Sequence, residues 1–190
     1  PARGGSASGG KNQKSKIKIE TKSGIIEAKV IDKKKVRIKL VNPQQIRLNF
    51  NLEIGAKNYK ANFINTGVPH VVIFSDRLKN LDVKKIGSAI RHHHNFKPGG
   101  TNADFAKIQD KKNISIRTYE RGVEEETLAC GTGVAAAVLI SAGLGKVISP
   151  VNVRTKGKEV LKVYFEYEGD FKNVWLEGGA KVVYRGKIEQ

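Results

Sequence analysis

The chain has 190 residues, 39% apolar and 28% charged, which excludes wholesale disorder and leaves room for one domain or one and a half small ones. No run approaches the ~18 apolar residues of a membrane span and no signal-peptide pattern opens the chain. The single cysteine excludes an internal disulfide and points to a reducing, cytoplasmic compartment.

The net charge of +17 would suit an anionic partner, but it divides into +11 over residues 1–60 and +6 over residues 61–190. In the first stretch lysines alternate with apolar residues, as in Ile17-Lys18-Ile19 and Val36-Arg37-Ile38-Lys39-Leu40. Such alternation puts the cations on the solvent face of strands. With one Trp and no interleaving of basic and aromatic residues, stacking on bases has no support. Neither nucleic acid nor membrane is therefore predicted as a partner, although a basic, non-catalytic binding module stays open as an alternative.

Residues 1–13 hold almost nothing to bury and are predicted to be unstructured. Strands are predicted over 16–20 and 25–31, joined at Ser23-Gly24, and then over 35–41 and 46–53. A further pair over 58–65 and 70–75 flanks Thr66-Gly67-Val68-Pro69. Val83, Ile86 and Ile90 have the i, i+3, i+7 spacing of a helix over 82–92. Lys97-Pro98-Gly99-Gly100 reads as a loop, followed by strands over 104–108 and 114–119. From Cys130 to Leu144 the chain is Gly-Thr-Gly and then apolar on every side, so it predicts a helix buried all round, with Gly143 and Gly145 as candidate C-terminal caps. Strands over 150–155, 159–166, 173–177 and 180–187 close the chain. The pattern predicts an α/β (α+β) fold in which mixed sheet wraps around one central buried helix.

Cys130 is the first candidate for chemistry. A lone cysteine often serves as an inert buried thiol, but this one stands at a helix entrance, where the N-terminal field is expected to lower a thiol pKa. Gly131 and Gly133 leave backbone N–H groups bare for an anion, and Thr132 adds a hydroxyl. Glu120-Arg121, at a strand end, reads either as a surface ion pair or as half of a carboxylate clamp. His70 closes the turn Asn65-Thr66-Gly67-Val68-Pro69-His70, and Asn102 follows the glycine loop. His92-His93-His94 does not read as a metal site, because adjacent helical histidines point apart. Glu124-Glu125-Glu126 reads as a solvated loop or, alternatively, as placing its last member, Glu126, near the helix N-terminus.

Four segments, in this order, resemble the diaminopimelate epimerase family: Asn65-Thr66-Gly67-Val68-Pro69-His70, Gly100-Thr101-Asn102, Tyr119-Glu120-Arg121-Gly122 and Thr127-Leu128-Ala129-Cys130-Gly131-Thr132-Gly133. Val174-Trp175-Leu176-Glu177-Gly178-Gly179-Ala180 is also similar to the family's closing strands. The resemblance implies two similar α/β halves, each with a sheet around a central helix, and a cofactor-independent epimerisation in which two cysteines act from opposite faces of the substrate. It makes Cys130 one acid/base residue and Gly131 and Thr132 donors to the substrate α-carboxylate. Asn102, Glu120 and Arg121 would hold the distal end, with His70 and Glu120 beside the cysteines. Val68 departs from the Asn of many members. Related racemases of the same fold remain the nearest alternative. The implied partner is a small molecule, diaminopimelate; a homodimer is compatible with the resemblance.

The resemblance also implies a division of the chain. Residues 14–55 would be the remnant of a first half whose own cysteine is missing, as in a truncated or frameshifted reading frame. Residues 56–180 would be the complete second half, with its central helix at 131–143, and 181–190 a final strand returning toward the first. The chain alone is expected to be inactive as an epimerase, with exchange of the α-proton from one face as the most it could do.

Overall fold

A computed structural model describes residues 16–21 and 24–187. The reading of residues 1–13 and the turn at Ser23 lie outside the described residues. The strands are β1 (Lys16–Thr21), β2 (Gly24–Asp32), β3 (Lys35–Lys39), β4 (Gln44–Ile54), β5 (Lys57–Asn65), β6 (Pro69–Phe74), β7 (Asn102–Asp110), β8 (Asn113–Glu120), β9 (Glu125–Thr127), β10 (Val151–Arg154), β11 (Val160–Tyr167) and β12 (Phe171–Gly179). The helices are α1 (Val83–Arg91) and α2 (Gly131–Gly143). All strands join one mixed sheet in the order β1-β2-β3-β12-β11-β10-β8-β7-β6-β5-β4, with β9 paired to β8.

Two joints in this sheet are parallel, β6 with β7 and β8 with β10. A parallel joint needs a crossover connection, and each helix occupies one: α1 between β6 and β7, α2 between β8 and β10. Strands β5 to β8 therefore carry a helix on each face and alternate between them. Ile64, Val72, Ala106, Ile114 and Ile116 pack with α2. Phe63, Val71, Ile73, Phe105 and Tyr119 pack on the other face with Val83 and Ile90 of α1.

α1 starts where predicted, because the Asp82 side chain accepts the Lys85 backbone N–H at 3.0 Å. α2 is buried from Gly133 to Ala142, as its lack of a polar face requires. It ends in a Schellman pair, Lys146 N–H to Ser141 O at 2.9 Å and Gly145 N–H to Ala142 O at 2.8 Å. Gly145, at φ +70, is thus the C-terminal cap, and Gly143 is the last helical residue.

Two features differ from the sequence reading. The acidic run forms part of β9 instead of a free loop. β12 is one strand, and residues 181–187 form none. Both edges of β12 are already taken, by β3 and β11, so the chain leaves the sheet after Ala180, whose N–H donates to Lys34 O at 2.8 Å. β4 and β5 form a hairpin with Gly55 at φ +58 in its turn, so β4 lies at the edge of the sheet beside β5. β1 to β3 extend its other end, where Arg37 meets Glu177 of β12 at 2.6 Å and stacks 3.7 Å over the Tyr164 ring. No helix among the described residues is long and apolar enough to cross a membrane.

Candidate active site

Cys130 is extended (φ −130, ψ 111) and stands at the N-cap of α2. The first N–H used inside the helix is that of Val134, donated to Cys130 O at 2.9 Å. Those of Gly131, Thr132 and Gly133 precede it at the open end. Close packing explains Gly133, where a Cβ would collide with Asp104 Oδ1; at Gly131 a Cβ would meet only the movable Cδ2 of Leu176, at 2.9 Å.

Strand alternation brings His70, Asp104 and Thr118 to the α2 face at this same end, with β7 and β8 in the register Asp104–Thr118. Asp104 Oδ1 accepts the Thr118 hydroxyl at 2.7 Å, and Oδ2 lies 2.7 Å from His70 Nδ1. His70 Nε2 is 3.0 Å from Thr132 Oγ1, which is 3.5 Å from Cys130 Sγ. Thr66 donates to Thr132 O at 3.2 Å, tying the 66–69 turn to the helix. His70 and Asp104 are 0% exposed and Cys130 8%.

The electrostatics reverse one expectation. Burial pushes the Cys130 thiol up to about 11, and the negative charge of Asp104 adds to the rise. The Thr132 hydroxyl and the Gly133 N–H act in the expected downward direction, but they are outweighed, and Glu120 adds a smaller upward push. The helix terminus does favour the thiolate, yet desolvation wins.

Asn102 is buried and bridges two segments: its Nδ2 donates to Pro69 O at 2.9 Å and its Oδ1 accepts the Arg121 backbone N–H at 2.8 Å. The Arg121 guanidinium reaches only a carbonyl, Gly99 O at 3.3 Å, and the Glu120 carboxylate has no side-chain partner among the described residues. The surface ion-pair reading of these neighbours is therefore not realised. Arg121 lines a cavity of about 560 Å³ with Arg47, Lys97, Gly99 and Pro69. A second cavity, about 470 Å³, is lined by Thr66, Gly67, Val68, Thr132 and Leu40. The turn at 66–69 contributes to both.

The other candidates are engaged elsewhere. Glu126 pairs with Arg117 and Lys156, and Glu124 with Arg91, so Glu126 does not sit at the α2 N-terminus. His93 stacks on His94 with ring centroids 4.2 Å apart and meets Glu53 O at 3.0 Å. The residues that the sequence reading does not single out are Asp104 and Thr118. The signal for the first was present: one carboxylate inside the otherwise apolar run 103–106.

The sequence profile described as "Diaminopimelate epimerase" matches residues 62–183. The chain belongs to the diaminopimelate epimerase family. Among curated proteins it is 43% identical over 175 residues to a diaminopimelate epimerase of Hydrogenobaculum sp. (strain Y04AAS1), covering 90% of this chain and 62% of that protein. It is 40% identical over 177 residues to one from Aquifex aeolicus (strain VF5), covering 92% and 62%. The chain thus spans about 62% of the length of these relatives.

Solved structures share the fold at low identity. A hydroxyproline epimerase from Agrobacterium vitis, with bound trans-4-OH-L-proline, superposes with TM-score 0.71 at 13% identity, covering 89% of this chain and 57% of that one. A Bacillus anthracis phenazine biosynthesis protein of the PhzF family gives TM-score 0.64 at 13% identity, covering 90% and 68%. In this diaminopimelate epimerase family chain, the matched span contains the whole hydrogen-bonded group from His70 to Thr132.

Proposed function

We propose that this chain carries one face of the active site that interconverts LL- and meso-diaminopimelate, a cofactor-independent step of lysine biosynthesis. Cys130 exchanges a proton with the substrate α-carbon. The free N–H groups of Gly131 and Thr132 hold the α-carboxylate and stabilise the negative charge that develops as the proton leaves. Arg121, Glu120 and the remaining amide hydrogen of Asn102 hold the distal amino-acid end, where the unpaired guanidinium and carboxylate match the opposite charges of a zwitterion. His70 stands behind Thr132 as the polar neighbour of the thiol. The observation that carries this reading is the Cys130 Sγ at the open end of a wholly buried helix, beside backbone donors that the helix does not use.

Inversion at carbon needs a second acid/base group on the opposite face. These 190 residues carry one cysteine, so on their own they are expected to exchange the α-proton without completing epimerisation. A cytoplasmic location, a homodimer and the absence of a nucleic-acid partner belong to the same proposal. The test is incubation of the purified chain with LL-diaminopimelate in D₂O. Deuterium should enter the α-position, Cys130→Ser should abolish the exchange, and meso product should not accumulate. Full turnover by the chain alone, or exchange that survives Cys130→Ser, would overturn the proposal.

A further inference from the structure

We infer that Asp104 is a positioning residue for the Cys130 thiol, acting through His70 and Thr132. This deepens the proposed function and rests on Cys130 being its acid/base group. Asp104 is fully buried on β7 between Ala103 and Phe105, and no lysine or arginine pairs with it among the described residues. A buried carboxylate is costly unless its oxygens are satisfied, and here both are, one by Thr118 and one by His70.

The polarity of the chain follows from what each group can do. A carboxylate only accepts, so His70 Nδ1 donates to Asp104 Oδ2. In a neutral imidazole the other nitrogen then only accepts, and the group within reach of Nε2 is the Thr132 hydroxyl at 3.0 Å. That hydroxyl has one proton. Once it is given to His70, Thr132 Oγ1 turns lone pairs toward Cys130 Sγ at 3.5 Å, and the S–H donates. Asp104 thus sets the resting cysteine as a proton donor. Thr118 keeps the carboxylate from rotating away, and Gly133 leaves the space it occupies. The charges of Asp104 and Glu120 favour the thiol, opposed by the Gly133 N–H; the downward push of Thr132 operates only when its hydroxyl turns from His70 to donate to the sulfur.

The experiment uses the 190-residue chain without substrate, so it is independent of catalysis. Long-range ¹H–¹⁵N NMR of the histidines, with His70 assigned through His70→Gln, should show Nδ1 protonated and Nε2 bare. Alkylation of Cys130 by iodoacetamide against pH should give a midpoint that Asp104→Asn lowers by about one unit, roughly a tenfold gain in rate at pH 8. Thr132→Ser, which keeps the hydroxyl, should retain this response, and Thr132→Val should reduce it to less than about half, a coupling that a double-mutant cycle reads directly. Protonated Nε2 in the parent chain, or an Asp104→Asn response of the same size with and without the hydroxyl, would overturn the inference. If Asp104→Asn fails to fold, the NMR tautomer of the parent decides alone. Absence of α-proton exchange would instead sink the epimerase reading and leave these readouts standing.

Discussion

Arg117 and Glu126 meet in a two-point ion pair, Nε to Oε1 at 2.7 Å and Nη2 to Oε2 at 2.8 Å. Arg117 also donates to Leu78 O at 2.8 Å and Leu81 O at 2.9 Å, so the pair fastens β8 and β9 to the segment that leads into α1. Glu126→Gln should cost about 1–3 kcal/mol of stability, the usual range for a charge-assisted hydrogen bond sheltered from water. Urea denaturation at pH 7 reads it.

The same pair predicts a pH dependence. Burial raises the Glu126 carboxyl, but Arg117 and Lys156 outweigh it, so its pKa is lowered from 4.5. The folded pKa lies below the unfolded one. The contribution is therefore complete above the ordinary carboxylate range and fades as the pH falls through the depressed folded value. The urea midpoint of the parent chain should drop in acid more steeply than that of Glu126→Gln. Parallel curves would refute this.

Cys130 titrates in the opposite direction. Its thiol is raised from 9.0 to about 11, so the folded state holds its proton more tightly than the unfolded state. The associated stability is complete below pH 9.0 and is lost as the pH climbs toward 11. Cys130→Ala should show a flatter stability curve over that window. At pH 8 the folded chain should react with iodoacetamide up to about 100-fold more slowly than the urea-unfolded chain, because less thiolate is present.

Two glycines of α2 should respond with opposite sign. Gly133→Ala drives a methyl into Asp104 and should destabilise by about 1–3 kcal/mol, as overpacking does. A Cβ at Gly143 meets only ordinary contacts at 3.7 Å or more, so Gly143→Ala should stabilise by about 0.5–1 kcal/mol through helix propensity. Thermal unfolding of both variants checks the pair.

Arg121 has no carboxylate partner to lose, so Arg121→Ala should change stability by less than about 0.5 kcal/mol. If its guanidinium holds the distal carboxylate, the concentration of LL-diaminopimelate giving half-maximal deuterium exchange should rise about tenfold or more, equivalent to about 1.4 kcal/mol. An unchanged half-saturation would remove Arg121 from the site.

What was legible in the sequence was what is local. The apolar stretch after Gly133 announces a buried helix whatever surrounds it, and alternation in β5 to β8 marks strands. The motif segments bring Cys130, Thr132 and His70 together. Asp104 is not legible in the same way, because its meaning comes from Thr118 and His70 on neighbouring strands, and the sequence does not display cross-strand pairs. The direction of the Cys130 shift failed for a related reason: the helix terminus is visible locally, while the burial that overrides it depends on the packed whole. Residues 181–187 carry the strand-forming run Val182-Val183-Tyr184, yet no edge beside β12 is free to receive them.

The joint between β3 and β12 has a cost in time. Residues 35–39 leave the ribosome well before their sheet neighbour at 171–179. Until it emerges, the early hairpins must wait with a lysine-studded face and a half-covered row of isoleucines turned to water. The net charge of +11 over residues 1–60 keeps such waiting segments apart through mutual repulsion.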